Sequence, residues 1–185
     1  MENQFDINTI KELKQLNSEL ELERAYVFDR KLRLLEKDDP NLIPVRKKLR
    51  SLIKEYENEH WSDSDAVTEE QLIESDKAEF IAELEREFLQ KRKILIKNKL
   101  KYFDISQQQL GDILDHSKSY TSEIINGISP LSMKDIVVIS RLLNIDLNNL
   151  VPRFLNTESR NRIKFTIDSM DNSKLKLKKD DLLAV

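Results

Sequence analysis

The chain of 185 residues carries 31 Lys and Arg against 34 Asp and Glu, a formal charge of −3, with 39% hydrophobic residues. That length admits one ordinary domain or two small ones and excludes a large multidomain enzyme. The absence of cysteine, with only two histidines and two glycines, excludes disulfides and thiol catalysis, starves any histidine-built triad or metal centre, and rules out a glycine-rich phosphate loop.

The first residues, MENQFDINTIKELK, lack the basic start and the apolar run of about 7–15 residues that a secretory signal needs. The longest aliphatic runs, such as 136–139, are far too short to span a bilayer. A cytoplasmic protein without a membrane partner is the expectation. Ile7, Ile10, Leu13, Leu16 and Leu20, then Val27, Phe28, Leu32 and Leu35, predict one amphipathic helix over residues 6–35, with Thr9 and Glu12 as a capping box. Lys37-Asp38-Asp39-Pro40 stops it. A second helix is predicted from Leu42 to about Glu59, with Pro44 in its first turn and Val45, Leu49, Leu52, Ile53 and Tyr56 on one face, so the two should form an antiparallel hairpin. Its apolar stripe suits an intramolecular core, a dimer interface or a partner's docking face. Tyr26, Tyr56 and Trp61 are candidate anchors for the latter two.

Ser62-Asp63-Ser64-Asp65 predicts a linker. Thr68 and Gln71 cap a third helical pattern, in two pieces, that passes Phe80, Leu84 and Phe88 and turns basic at Lys91, Arg92, Lys93, Lys97, Lys99 and Lys101. Charge follows the same division: residues 1–84 sum to −8, residues 85–155 to +3 and residues 156–185 to +2. Such asymmetry suggests a nucleic-acid-binding second half, and the basic run offers phosphate contacts.

Residues 106–127 read SQQQLGDILDHSKSYTSEIING. The spacing predicts two short helices joined by a tight turn. Leu110 and Leu114 supply apolar contacts from the first, Ile124 and Ile125 from the second, and Gly111 the small residue where they cross. Ser117 or Ser119 caps the second helix and Gly127 ends it. Both glycines of the chain fall in this segment. Two further helices follow, 132–143 with Ser132 and Asp135 as a capping pair, and 146–150 capped by Asp146. His116 reads as a surface residue.

This segment resembles the DNA-binding domain of lambda-repressor-like, Cro/C1-type (XRE) regulators, with Asp115 where the turn usually has glycine and Asn144 where a glycine commonly ends the fourth helix. The stretch SEIINGISPLSMKDIVVISRLLNI is closer still to HigA-type antitoxins, and LRSLIKEYENEHW resembles the end of their helical amino-terminal half. Together the resemblance covers about residues 10–61 and 85–152. It implies an antitoxin that neutralises a HigB-like messenger-RNA endonuclease and, as a homodimer on an inverted repeat, represses its own operon. It also implies that Gln107 meets a phosphate, that Lys118, Ser119, Ser122 and Glu123 face base edges, and that Tyr120 lies near the backbone. Lys118 would donate to guanine and Glu123 accept from cytosine. The alternative is a stand-alone regulator with no toxin.

In the tail, residues 162–168 alternate polar and apolar, Asp171-Asn172 suits a turn, and Leu175 and Leu177 alternate again, which predicts a β-hairpin. The closing Leu182-Leu183-Ala184-Val185 resembles a degradation tag. No nucleophile stands beside a base, and Glu57-Asn58-Glu59-His60 lacks the second histidine of a metalloprotease helix, so neither an enzyme nor a catalytic residue, metal or cofactor is expected. The expected fold is all-α: a helical region over 1–61 for dimerisation or toxin binding, an acidic linker and connecting helix over 62–84, a five-helix DNA-binding domain over 85–155, and the tail over 156–185.

Overall fold

A computed structural model of the chain describes residues 5–63, 67–152 and 157–170. Among them the regular structure is helical throughout. The amino-terminal pattern forms two helices rather than one, α1 (Ile7–Glu12) and α2 (Glu19–Leu35). Leu13 leaves α1 in an extended conformation, φ −60° and ψ 132°. The break follows from local competition: Asp6 caps α1 through the amides of Asn8 and Thr9, Ser18 caps α2 through the amide of Glu21, and Asn17 N–H donates to Glu21 Oε2 at 2.8 Å. Short polar side chains that bond the nearby backbone favour ends over continuations. The caps are thus Asp6 and Ser18, in place of the expected Thr9 and Glu12 box.

Helix α3 (Leu42–His60) buries the predicted stripe, Leu42, Val45, Leu49, Leu52, Ile53 and Tyr56. It packs on α2, and Arg46 fastens the hairpin by donating to Asp29 at 2.9 Å and Glu36 at 2.6 Å. The stripe's fate is an internal core shared with Phe5, Ile10, Leu22, Ala25, Phe28 and Leu32. The aromatic candidates are engaged inside the same half. Tyr56 OH and Trp61 Nε1 both donate to the buried Glu19 Oε1 at 3.0 Å, and Tyr26 OH donates to Glu57 Oε1 at 2.6 Å.

The pattern expected in two pieces is one helix, α4 (Glu69–Tyr102), since no glycine or proline interrupts it. Thr68 caps it, as expected. Small Ala78 and Ala82 are buried in its first half, where α4 packs along α2, while Phe80 stands 66% exposed. Its second half places Ile96 and Leu100 in a second core with Leu110, Leu114, Ile124, Ile125, Ile139 and Leu143. One helix therefore packs along α2 with its first half and enters the second core with its second, running unbroken through position 84, where the expected connecting segment ends.

Helices α5 (Gln107–Leu114), α6 (Lys118–Asn126) and α7 (Met133–Leu143) follow as the spacing predicts. The expected fifth helix is a single 3₁₀ turn, Leu147–Asn149, capped by Asp146. The predicted tail hairpin is not formed: residues 162–168 lie in helix α8 (Thr157–Ser169). A helix satisfies its backbone locally, whereas a hairpin needs a partner strand and a face to cover. Phe165, 78% exposed, has no such cover. The remainder of the hairpin reading and the closing Leu182 to Val185 lie outside the described residues.

Candidate nucleic-acid interface

Local chemistry positions α5 and α6. Ser106 and Gln109 form a capping box: Ser106 N–H donates to Gln109 Oε1 at 2.8 Å and Gln109 N–H to Ser106 Oγ at 3.1 Å. Leu110 and Leu114 fill the core from α5, Ile124 and Ile125 from α6. At the crossing, a Cβ on Gly111 would lie 2.6 Å from Thr121 Oγ1 and 3.1 Å from the His116 carbonyl oxygen, so only glycine fits as the helices stand. Asp115 turns the chain in the left-handed region, φ 61° and ψ 49°, which aspartate tolerates better than most residues. Ser117, rather than Ser119, caps α6, accepting from Tyr120 N–H at 3.2 Å. Gly127, φ 68°, ends α6, and Asn144, φ 49°, ends α7.

His116 is no idle surface residue. Its Nε2 lies 2.9 Å from Asp135 Oδ1 and its Nδ1 3.0 Å from the Asp115 carbonyl oxygen, and its ring meets Tyr120 edge to face at 4.8 Å. Asp135 is fully buried, and its other oxygen accepts from Ser132 N–H at 2.9 Å. The Ser132–Asp135 cap was visible in the sequence. Its link to the α5–α6 turn was not.

With the inner face locked, the outer face of α6 presents Lys118 and Ser119, both exposed, and Ser122 and Glu123, both half-buried. Helical spacing puts these four on one side. Ser122 Oγ accepts from Asn126 Nδ2 at 3.2 Å. Glu123 Oε2 accepts from Ser129 Oγ at 2.7 Å, so its carboxylate braces the loop after α6. Tyr120 turns towards His116, and burial raises its hydroxyl pKa. Gln107 occupies the first turn of α5, half-exposed, where amides without intrahelical partners favour an anion.

The basic run does not act as one patch. Arg92 is 3% exposed, Nη1 donates to the Leu150 carbonyl oxygen at 3.3 Å, and burial pushes its pKa down to about 10. Lys91 pairs with Glu87 at 3.0 Å. Lys97 and Lys101 remain exposed. Among the described residues, no cluster of His, Asp and Glu assembles a metal-ion site, and no helix is long and apolar enough to cross a membrane.

The amino-terminal half touches this face, a relationship the sequence did not reveal. Ser119 Oγ donates to Asp39 Oδ2 at 2.6 Å. Asp39 Oδ1 in turn accepts from Asn41 N–H at 3.1 Å and Asn41 Nδ2 at 3.0 Å. The bond from Ser119 above all, with those from Asn41, holds the Asp39 carboxyl below the usual carboxylate range. At the other end of α6, Lys31 Nζ donates to the Gly127 carbonyl oxygen at 3.4 Å, Ile7 N–H donates to the Ile128 carbonyl oxygen at 2.9 Å, and Ile128 is buried in the amino-terminal core.

Residues 96–150 match the model of the helix-turn-helix family. This segment is a helix-turn-helix DNA-binding domain of the Cro/C1 type, and its family acts in transcription regulation. No curated protein and no solved structure matches the chain.

Proposed function

We propose that this protein regulates transcription by inserting α6 into the major groove, two copies meeting an inverted-repeat operator, and that it does so as a HigA-type antitoxin. The observation that carries the DNA-reading role is the division of α6 into a fully buried face, Thr121, Ile124 and Ile125, and an outer face bearing Lys118, Ser119 and Ser122. A recognition helix needs such a division: packing fixes its angle while donors and acceptors reach base edges. Gln107 and the exposed lysines supply phosphate contacts that set register without reading sequence.

The antitoxin role rests on the resemblance of residues 10–61 and 85–152 to HigA-type proteins. The surplus of acid over residues 1–84, −8, suits a basic RNA-cutting partner by charge complementarity. In this reading residues 1–61 hold the toxin, 62–84 connect, 85–155 read DNA, and the protein works in the cytoplasm without a cofactor. One observation favours a stand-alone regulator instead. The apolar stripe of α1 to α3 is consumed in the chain's own core, and Tyr56 and Trp61 are engaged with Glu19.

Co-expression of the tagged chain with the untagged neighbouring reading frame, followed by capture and mass determination, tests the antitoxin reading. Recovery of a small basic protein whose lone expression arrests growth is the expected result. A harmless neighbour that does not co-purify leaves a plain repressor.

A further inference from the structure

We propose that the acidic turn between α2 and α3 guards the DNA-reading face of α6, so that the amino-terminal half and DNA compete for the same helix. The inference rests on α6 being the reading helix, and concerns its regulation. The contact spans the chain: Ser119 Oγ donates to Asp39 Oδ2 across 80 residues of sequence. It is not an isolated touch, because Lys31 meets Gly127 at the opposite end of α6. Eight residues separate the two contacts on each segment, 31 to 39 and 119 to 127. The end of α2 and its turn therefore meet the two ends of α6 in antiparallel order.

The turn's chemistry opposes DNA. Asp38 and Asp39 follow one another there, and Asp39 is held in its charged form by the bonds from Ser119 and Asn41. A carboxylate bonded to Ser119 in the first turn of α6 stands where the positive end of the helix attracts anions. It takes the single hydroxyl proton that Ser119 has to offer a base or phosphate. A duplex entering along α6 brings a dense row of phosphates towards these two carboxylates, and like charges at close range repel. The anchor is separate from the guard. Ile128 is buried in the amino-terminal core at the far end of α6, so the turn can move aside while the two halves stay joined, and any partner that binds the displaced turn would favour DNA binding by linkage.

The test uses the full chain and a labelled duplex pool of random sequence, read by fluorescence anisotropy at low salt. Asp39→Asn keeps the turn's shape and removes the charge. Glu70→Gln removes the same charge from an exposed position at the start of α4 and calibrates the general effect of net charge. Asp39→Asn is expected to tighten binding about fivefold or more, the lower end of ordinary coupling between sites, while Glu70→Gln changes it less than about twofold. Equal effects of the two variants overturn the guard, as does an unchanged affinity of Asp39→Asn when the intact chain binds DNA; in both cases the DNA-reading role stands. If neither the intact chain nor Asp39→Asn binds any duplex as salt is lowered, the reading of α6 fails and the guard with it.

Discussion

A Cβ at position 111 would sit 2.6 Å from the Thr121 hydroxyl oxygen, and that hydroxyl is fixed by its own bond to the Ser117 carbonyl oxygen at 2.9 Å. Thr121 is fully buried, so rotating it away breaks the bond in a dry place. Alanine gains about 1 kcal/mol over glycine in a helix interior. The overlap outweighs that gain, because overpacking a filled contact costs about 1–3 kcal/mol. Gly111→Ala is expected to lower unfolding stability by about 1 kcal/mol net, and Thr121→Ala in the same chain to relieve part of the loss. Chemical denaturation of the two single variants and the double variant checks this. Strictly additive losses would mean that the two side chains do not meet.

His116 and Asp135 tie the α5–α6 turn to the start of α7. Asp135→Ala strips a fully buried carboxylate from two donors, Ser132 N–H and the His116 ring, and should cost about 2–3 kcal/mol. His116→Ala removes one of these bonds from a half-buried position and should cost about 1 kcal/mol. Thermal unfolding ranks the pair, and a larger loss at His116 than at Asp135 would contradict the account.

Lys31 gives the joint between the halves a pH signature. Burial first, then the nearby charges of Arg92, Lys93 and Arg86, push its pKa down to about 8, against an ordinary 10.5. Between those values the unfolded chain holds a proton the folded chain has lost, so stability rises with pH through that window, by at most about 1.4 kcal/mol per pH unit. The raised pKa values of Tyr26 and Tyr56 act oppositely above their ordinary value of 10.0, since the folded chain then keeps protons the unfolded chain releases. Burial lowers the pKa of Lys93 as well, and adds a rise of the same sign, so between pH 8 and 10 the two lysines act together, free of the tyrosines. Lys31→Met should reduce the rise over that interval in denaturant titrations, leaving the part that Lys93 supplies, and an unchanged slope would remove Lys31 as a source.

What the sequence made legible was local. Ser117, Ser132 and Asp146 announce helix starts through side chains that reach two or three residues ahead, whereas the Ser106 cap of α5 went unread. Gly111 and Gly127 mark a contact and a helix end for steric reasons. The break between α1 and α2 was hidden because Ile7, Ile10, Leu13, Leu16 and Leu20 keep helical spacing across it; Asn17 and Ser18 were the available signal. Alternation over 162–168 suggested a strand, yet nothing local could supply the partner a strand needs. The bonds from Ser119 to Asp39 and from Lys31 to Gly127 join residues 80 and 96 positions apart, and no periodicity or motif encodes such a meeting.

The central claim is that α6 reads DNA, and selection of duplexes from a random pool by the full chain, followed by Lys118→Ala on the enriched sequence, tests it most directly. The account predicts an inverted repeat with half-sites about one helical turn apart or a multiple of it, and a loss of about 1–3 kcal/mol with relaxed preference at one base pair for Lys118→Ala. Gln107→Ala should weaken binding evenly across sequences, as a phosphate contact does. A pool that shows no enriched sequence, or an enriched one that Lys118→Ala binds with unchanged affinity and preference, would contradict it.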